Sequence, residues 1–212
     1  MYKYGIIVFV ITMLAFMLLI IISLWLNRSS KQIGACGEKT VRKILKTLPN
    51  NQYKVFNNLI LHTAHGTTQI DHVVVSQYGI FTIESKNYKG IITGNQNDRY
   101  WIQNINHTKD NKFYNPIKQN EGHKNALESA LKIQDKNWIK PIVAFASTAN
   151  VTVWADTPIV YFNELKNVIL NHYTKILTED DVVNICEKIN QHNICSKKTE
   201  KEHIEYVKKQ CK

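Results

Sequence analysis

A long apolar run occupies the first part of the chain, and the remainder mixes apolar and polar positions. No charged side chain occurs between residues 5 and 26. About 20 consecutive apolar residues can cross a bilayer as one helix, and this run is too long for the core of an ordinary signal peptide. The pattern predicts a transmembrane helix over 5–26, a linker over 27–32 and a hydrophilic domain after it.

Basic residues are distributed unequally on the two sides of the apolar run. Lys3 precedes it, whereas the following basic residues are Arg28, Lys31, Lys39, Arg42, Lys43 and Lys46. Positively charged flanks stay on the cytoplasmic side of a membrane, and an interfacial aromatic such as Trp25 is typical of a membrane exit. We therefore expect a single-pass protein of the cell membrane, with its amino terminus outside and its domain in the cytoplasm.

Two β-rich runs lie close together in the hydrophilic part, at 68–76 and 79–86. Both contain many Val, Ile, Phe and Thr residues, which favour strands. The residues between them have turn chemistry, with Gly79 where a positive φ is expected. The sequence therefore predicts a β-hairpin whose turn is centred between Gln77 and Tyr78.

The register of this hairpin brings polar residues together. With the turn so centred, Asp71 lies opposite Glu84 and Gln69 lies opposite Lys86, all on one face. Two opposed carboxylates repel each other, and a divalent cation such as Mg²⁺ would remove the conflict. Lys86 could then stabilise charge on an attacked phosphate or orient water. The alternative is a surface hairpin with a salt-bridged polar face.

Two predicted helices supply further polar candidates. A helix over 33–48 would place Glu38 on the stripe that faces the core, where it either joins a polar site or only stabilises the positive end of its helix. Asn115 is expected to cap a second helix, in which Gln119 and His123 share a face. Gln119 could orient water or substrate, and we expect His123 to be a hydrogen-bonded, semi-buried residue.

The remaining pattern is that of an α/β protein. We predict a strand over 53–61 and two strands that extend the same sheet, at 90–93 and 100–103, followed by a loop over 104–114. A continuous apolar run predicts a buried strand. This strand is predicted at 141–147, and two later strands are predicted at 151–154 and 159–162. Two closing helices are predicted at 163–170 and 178–191.

Three segments within 34–150 carry a recognisable pattern, in the order GACGEKTVRKIL, TQIDHVVVSQYGIFTIESKNYKGIITGN and NPIKQNEGHKNAL. Together they resemble the nuclease-related domain (NERD) family of bacterial proteins, in which such segments occur in this order. The family is similar to restriction-endonuclease-like nucleases with a D…(D/E)xK site. The resemblance implies a mixed central sheet flanked by helices, and Mg²⁺ or Mn²⁺ as cofactor. Ile70 departs from the wider nuclease pattern, in which a proline commonly precedes the aspartate.

The resemblance also implies roles for individual residues. Asp71 and Glu84 would be metal ligands, and Lys86 would be the catalytic lysine. Glu38 and Gln119 would be supporting polar residues of the site. The domain would extend over 33–195.

Composition is consistent with this prediction but does not distinguish the partners. The formal charge of +10 and the pI near 9.4 favour an anionic partner, either nucleic acid or the inner leaflet of the membrane. The basic segment 196–212 is expected to be a solvated tail, with a contact to lipid head groups as a third possibility. Cys36, Cys186, Cys195 and Cys211 lack zinc-site spacing and are expected to be thiols.

The sequence thus predicts a membrane-anchored, metal-dependent nuclease that hydrolyses phosphodiester bonds of DNA or RNA, with DNA as the first expectation. The alternative is a non-catalytic module, tethered to the membrane, that binds nucleic acid or a protein on a nuclease-like fold.

Overall fold

The computed structural model describes residues 2–64, 66–105 and 109–194, and within 2–31 it describes side chains at 9 and 11–22. The predicted basic tail, 196–212, lies outside the described residues. The chain divides into two compact units, Met1–Cys36 and Gly37–Lys212.

The described residues form helices and strands in the following order. The elements are α1 (Tyr2–Leu45), β1 (Lys54–Thr63), β2 (Gly66–Ser76), β3 (Gly79–Lys86), β4 (Gly90–Asn95), β5 (Tyr100–Ile105), β6 (Lys109–Tyr114), α2 (Pro116–Leu131), a 3₁₀ turn (Lys136–Trp138), β7 (Ile139–Phe145), β8 (Ala149–Trp154), β9 (Ile159–Tyr161), α3 (Leu165–Leu170) and α4 (Glu179–His192). The chain therefore has the mixed α/β composition that was predicted.

Helix α1 is continuous, and this corrects the predicted start of a helix at Ile33. Residues 27–32, expected to be a linker, are helical, and they contain neither the Gly nor the Pro that would interrupt a helix. In the first unit, the described apolar side chains, including Phe9 and Phe16, are exposed.

No helix among the described residues combines the length and the apolar character needed to cross a membrane. The predicted transmembrane segment 5–26 lies partly outside the described side chains.

The larger sheet has five strands in the order β1-β2-β3-β7-β9. Strands β1, β2 and β3 are antiparallel neighbours, whereas β7 pairs in parallel with both β3 and β9. This mixed sheet contains the predicted hairpin, and the predicted buried strand is β7.

A second, four-stranded sheet has the order β6-β5-β4-β8. The prediction that β4 and β5 extend the larger sheet is wrong, because β7 occupies the free edge of β3 and β4 pairs with β8 instead. The predicted loop over 104–114 is also wrong in its later part. Strand β6 forms there and pairs with β5 from Tyr100↔Tyr114 to Ile105↔Lys109.

Helices cover both faces of the larger sheet. Leu45 of α1 and Leu165 of α3 pack in one core cluster with Phe81. On the other face, Leu127 of α2 and Ile189 of α4 pack in a second cluster. The helices α2, α3 and α4 were predicted, and Thr178, the predicted cap of α4, caps it in a capping box.

Candidate active site

The β2–β3 hairpin has the predicted register. Its ladder extends from Ser76↔Gly79 to His72↔Ile83. Gly79 has a φ of +131°, and a side chain at this position would be strained. The last pair of the ladder is His72↔Ile83, and the next pair in this register would be Asp71 with Glu84. Asp71 therefore lies next to β3 but outside the regular pairing.

Glu84, Lys86 and Gln119 form a chain of close polar contacts. The distance from Lys86 Nζ to Glu84 Oε1 is 2.7 Å, and the same Nζ donates to Gln119 Oε1 over 3.0 Å. The two strand residues lie on one side of β3 because they are two positions apart. Gln119 reaches them because Asn115 caps α2 and accepts from the amide of Ile117.

His123 contacts the other oxygen of Glu84. Its Nε2 lies 3.1 Å from Glu84 Oε2, and its Nδ1 lies 3.0 Å from Thr68 Oγ1. A proton on Nε2 donates to the carboxylate and leaves Nδ1 to accept from the threonine hydroxyl. His123 is buried and hydrogen-bonded, and the prediction for this residue is therefore confirmed.

Asp71 is held by its neighbour on β3. Its Oδ2 accepts from the Ser85 amide over 3.0 Å and from Ser85 Oγ over 2.8 Å. Burial, followed by the charges of Glu84 and Glu38, raises the pKa of Asp71 to about 7 against the lowering effect of the Ser85 hydrogen bonds. A negative charge on Asp71 is therefore disfavoured in this position.

Glu84 has the opposite electrostatic environment although it is 2% exposed. Burial, the largest influence, raises the pKa of its carboxyl, but the charge of Lys86 and the hydrogen bond with His123 together lower it below the ordinary value. The Glu84 charge in turn raises the pKa of Lys86 against the effect of burial. The two adjacent acids thus differ, and only Glu84 has a close cationic partner among their described contacts.

Glu38 lies on α1 in the same unit as these residues. Its charge acts on Asp71, so the carboxylate is within electrostatic reach of the site. The alternative that Glu38 only stabilises the start of its helix is wrong, because α1 begins at Tyr2. A Cβ at Gly37 would lie 2.5 Å from Asn87 Cβ, so α1 approaches the segment after β3 closely at this point.

All five predicted site residues thus lie in one region, around the open end of the β2–β3 ladder. Sequence reasoning missed Ser85 and Thr68. Ser85 alternates with Glu84 and Lys86 along β3, and the strand pattern therefore assigns it to the other face. Thr68 was within the β-rich run but carried no signal that distinguished it from the other polar residues there.

The donor set allows a test of the expected metal. Among the described residues, no group of three or more His, Cys, Asp and Glu side chains is arranged to hold a metal ion. Asp71 and Glu84 are two carboxylates whose negative charges repel each other. Mg²⁺ is commonly bound by one or two carboxylates together with water and phosphate oxygens, so two carboxylates match in number the protein ligands that Mg²⁺ needs, whereas a closed zinc site needs four ligands.

Comparison with known proteins identifies the family of the chain. The family model of the nuclease-related domain (NERD) matches residues 33–146. An uncharacterized protein of Bacillus anthracis, pXO1-01, is 35% identical over 182 residues, which cover 82% of this chain and 83% of the relative. No solved structure matches the chain. The family match covers the hairpin, both polar helical segments and strand β7, and the chain therefore belongs to the nuclease-related domain family.

Proposed function

We propose that this chain is a membrane-anchored nuclease that hydrolyses phosphodiester bonds of nucleic acid, in the first place DNA, with Mg²⁺ or Mn²⁺. The family supports a nuclease-related function. The observation that carries the metal-dependent step is the pair of acids at the end of the β2–β3 ladder. Burial and, after it, the nearby charge of Glu84 raise the pKa of Asp71 to about 7, and Lys86 lies beside Glu84.

Asp71 and Glu84 would hold the metal ion. Its charge would offset the repulsion between the two carboxylates and would favour the ionised form of Asp71. When bound, it would supply Lewis-acid chemistry for the hydrolysis.

Lys86 is suited to stabilise negative charge on the attacked phosphate. Its ammonium stays protonated at neutral pH, because burial lowers the pKa but the adjacent Glu84 charge outweighs this effect. Gln119 and Glu84 fix the position of Nζ at 3.0 Å and 2.7 Å, which reduces the reorganisation needed during reaction. Glu38 adds negative charge near Asp71 and would support cation binding.

The proposal also places the domain at the cytoplasmic face of the cell membrane. Residues 5–26 carry no charge, and the described apolar side chains there are exposed. Exposure of each apolar side chain to water costs free energy. A surrounding lipid bilayer would cover this apolar run. The excess of basic residues after this segment favours a cytoplasmic domain.

One observation favours the second candidate, a non-catalytic binding module. Both oxygens of Glu84 already have partners, Lys86 at 2.7 Å and His123 at 3.1 Å. A carboxylate whose two oxygens are already engaged within the protein can be purely structural, with no ion bound to it. In that case, nucleic acid would bind to the basic domain without metal and independently of Asp71.

A cleavage assay with the detergent-solubilised full chain distinguishes the two candidates. Supercoiled, linear and single-stranded DNA and RNA are each incubated with Mg²⁺, Mn²⁺ or EDTA. Asp71→Asn and Lys86→Met are compared with Asp180→Asn, a matched control at an exposed position of α4. We expect metal-dependent cutting by the wild type and the control, and its loss in both site variants. Cutting that persists in Asp71→Asn, or its absence in the folded wild type, would contradict the nuclease proposal.

A further inference from the structure

Strand β1 contains a residue with an unusual backbone conformation. Asn58 has a φ of +53°, as does Lys132. Lys132 is the C-cap of α2, where a left-handed residue is common. Asn58 lies instead in the interior of β1, where an extended conformation is expected. A left-handed residue within a strand requires a structural explanation.

The position of Asn58 along the ladder relates it to the candidate active site. The β1–β2 ladder pairs the residues on both sides of Asn58 with the residues on both sides of Asp71, but not these two residues themselves. Asn58 is thus in register with Asp71. The β2–β3 ladder also stops before Asp71, at His72↔Ile83. Asp71 is therefore outside the regular pairing on both sides of β2.

Side-chain alternation reverses at the same point in both strands. Phe56 and Leu59 pack in one core cluster although they are three positions apart, and so do Ile70 and Val73. In a regular strand, residues three positions apart point to opposite faces. The reversal in β1 includes Asn58, whose positive φ rotates the adjoining peptide planes, and the reversal in β2 includes Asp71.

We propose that Asn58 is a positioning residue for Asp71, an inference that rests on the proposed function. Its left-handed conformation reverses the side-chain alternation of β1 and β2 at the same point. The side chain of Asp71 is thereby turned out of the regular alternation of β2. Asp71 Oδ2 thereby reaches the Ser85 amide and hydroxyl on β3. Without this reversal, Asp71 would be an ordinary strand residue and would not meet Ser85.

Asn58 acts through its backbone conformation and not through a side-chain hydrogen bond. Its Oδ1 is buried, and it has no hydrogen-bond partner among the described residues. Asparagine adopts the left-handed region more readily than most other residues with a side chain, and glycine adopts it without cost. A glycine should therefore replace Asn58, and a β-branched residue should not.

Hydrogen exchange of the Ser85 amide tests this proposal without metal or substrate. The metal-free, detergent-solubilised full chain is compared at pH 8 as wild type, Asn58→Val, Asn58→Gly and Lys132→Val. The last variant is a matched control, since it places the same β-branched residue at the same φ on α2. Asp71→Ala sets the rate that follows from loss of the hydrogen bond.

We expect the Ser85 amide of Asn58→Val to exchange about tenfold faster than in the wild type, as in Asp71→Ala, because a hydrogen bond to a charged group is lost. Asn58→Gly and Lys132→Val should keep the wild-type rate. Asn58→Ala, with less strain than valine, provides a second variant if Asn58→Val does not fold. Wild-type protection in the folded valine or alanine variant, or equal loss in Lys132→Val, would overturn the proposal.

Binding of Mn²⁺ to the same proteins separates this inference from the proposed function. We expect Asn58→Val to weaken Mn²⁺ binding about tenfold, in the range seen when groups that orient metal ligands are removed, and Asn58→Gly to bind as the wild type does. Absence of binding in the wild type, together with the expected exchange pattern, would refute the metal site and support the positioning of Asp71. Binding unaffected in Asn58→Val would refute the role of Asn58.

Discussion

Replacing Asp71 by asparagine should stabilise the metal-free protein at alkaline pH and not at acid pH. The pKa of Asp71 is raised from 3.8 to about 7 in the folded state. Folding therefore favours the protonated carboxyl, and the Asp71 contribution to stability is present below pH 3.8 and is lost as pH rises to about 7. Asparagine has no charge and carries no such loss.

The size of the effect follows from the pKa change. One pKa unit corresponds to about 1.4 kcal/mol, so the full change would be worth about 4 kcal/mol. Asp71 is only partly buried, and solvent screening reduces this value to about 2 kcal/mol. The Ser85 hydrogen bonds, which lower the pKa, are already included in the net direction.

Urea unfolding of the full chain, followed by tryptophan fluorescence with EDTA present, measures the difference. Asp71→Asn should exceed the wild type in free energy of unfolding by about 2 kcal/mol at pH 8 and by about zero at pH 4. Asp180→Asn controls for loss of an acidic residue in a basic protein. An equal difference at both pH values, or a less stable variant at pH 8, would refute the reasoning about Asp71.

Three further predictions concern other contacts. Lys86→Met should lower the free energy of unfolding by about 3 kcal/mol, because Glu84 then remains buried without its cation. Adding Glu84→Gln to this variant should restore most of the lost stability. A double-mutant cycle measured by urea unfolding checks this prediction, and additive losses would contradict it. Thr178→Ala should cost about 1 kcal/mol through loss of its cap, with unchanged cleavage; impaired cleavage would contradict that separation. Gly37→Ala should lower the melting temperature, because its Cβ would meet Asn87 at 2.5 Å; an unchanged melting temperature would show that the segment can move.

Local patterns were sufficient to predict the hairpin and the helices α2, α3 and α4. The register depended on the turn chemistry before Gly79, and the ladder from Ser76 to Ile83 confirmed it. The α2 helix depended on Asn115 and Pro116, which cap and begin it. Both signals act within a few residues, so they can be read without knowledge of the tertiary structure.

Features that depend on distant residues were not predictable. The division into two sheets arises because β7, more than fifty residues after β3 begins, occupies the edge that β4 was expected to use. The contact of Asp71 with Ser85 requires both strands of the β1–β2 hairpin to reverse their alternation. Asn58 lies inside the strand predicted over 53–61, where an extended conformation was expected, and its positive φ is known only from the structure.

The most direct test of the central claim is the binding of Mn²⁺ to the full chain, followed by the electron paramagnetic resonance of the free ion. We predict saturable binding in the wild type and in Asp180→Asn, competed by Mg²⁺, and its loss in Asp71→Asn and in Glu84→Gln. Saturable binding of equal strength in Asp71→Asn and the wild type would contradict the account, since the ion would then be held elsewhere.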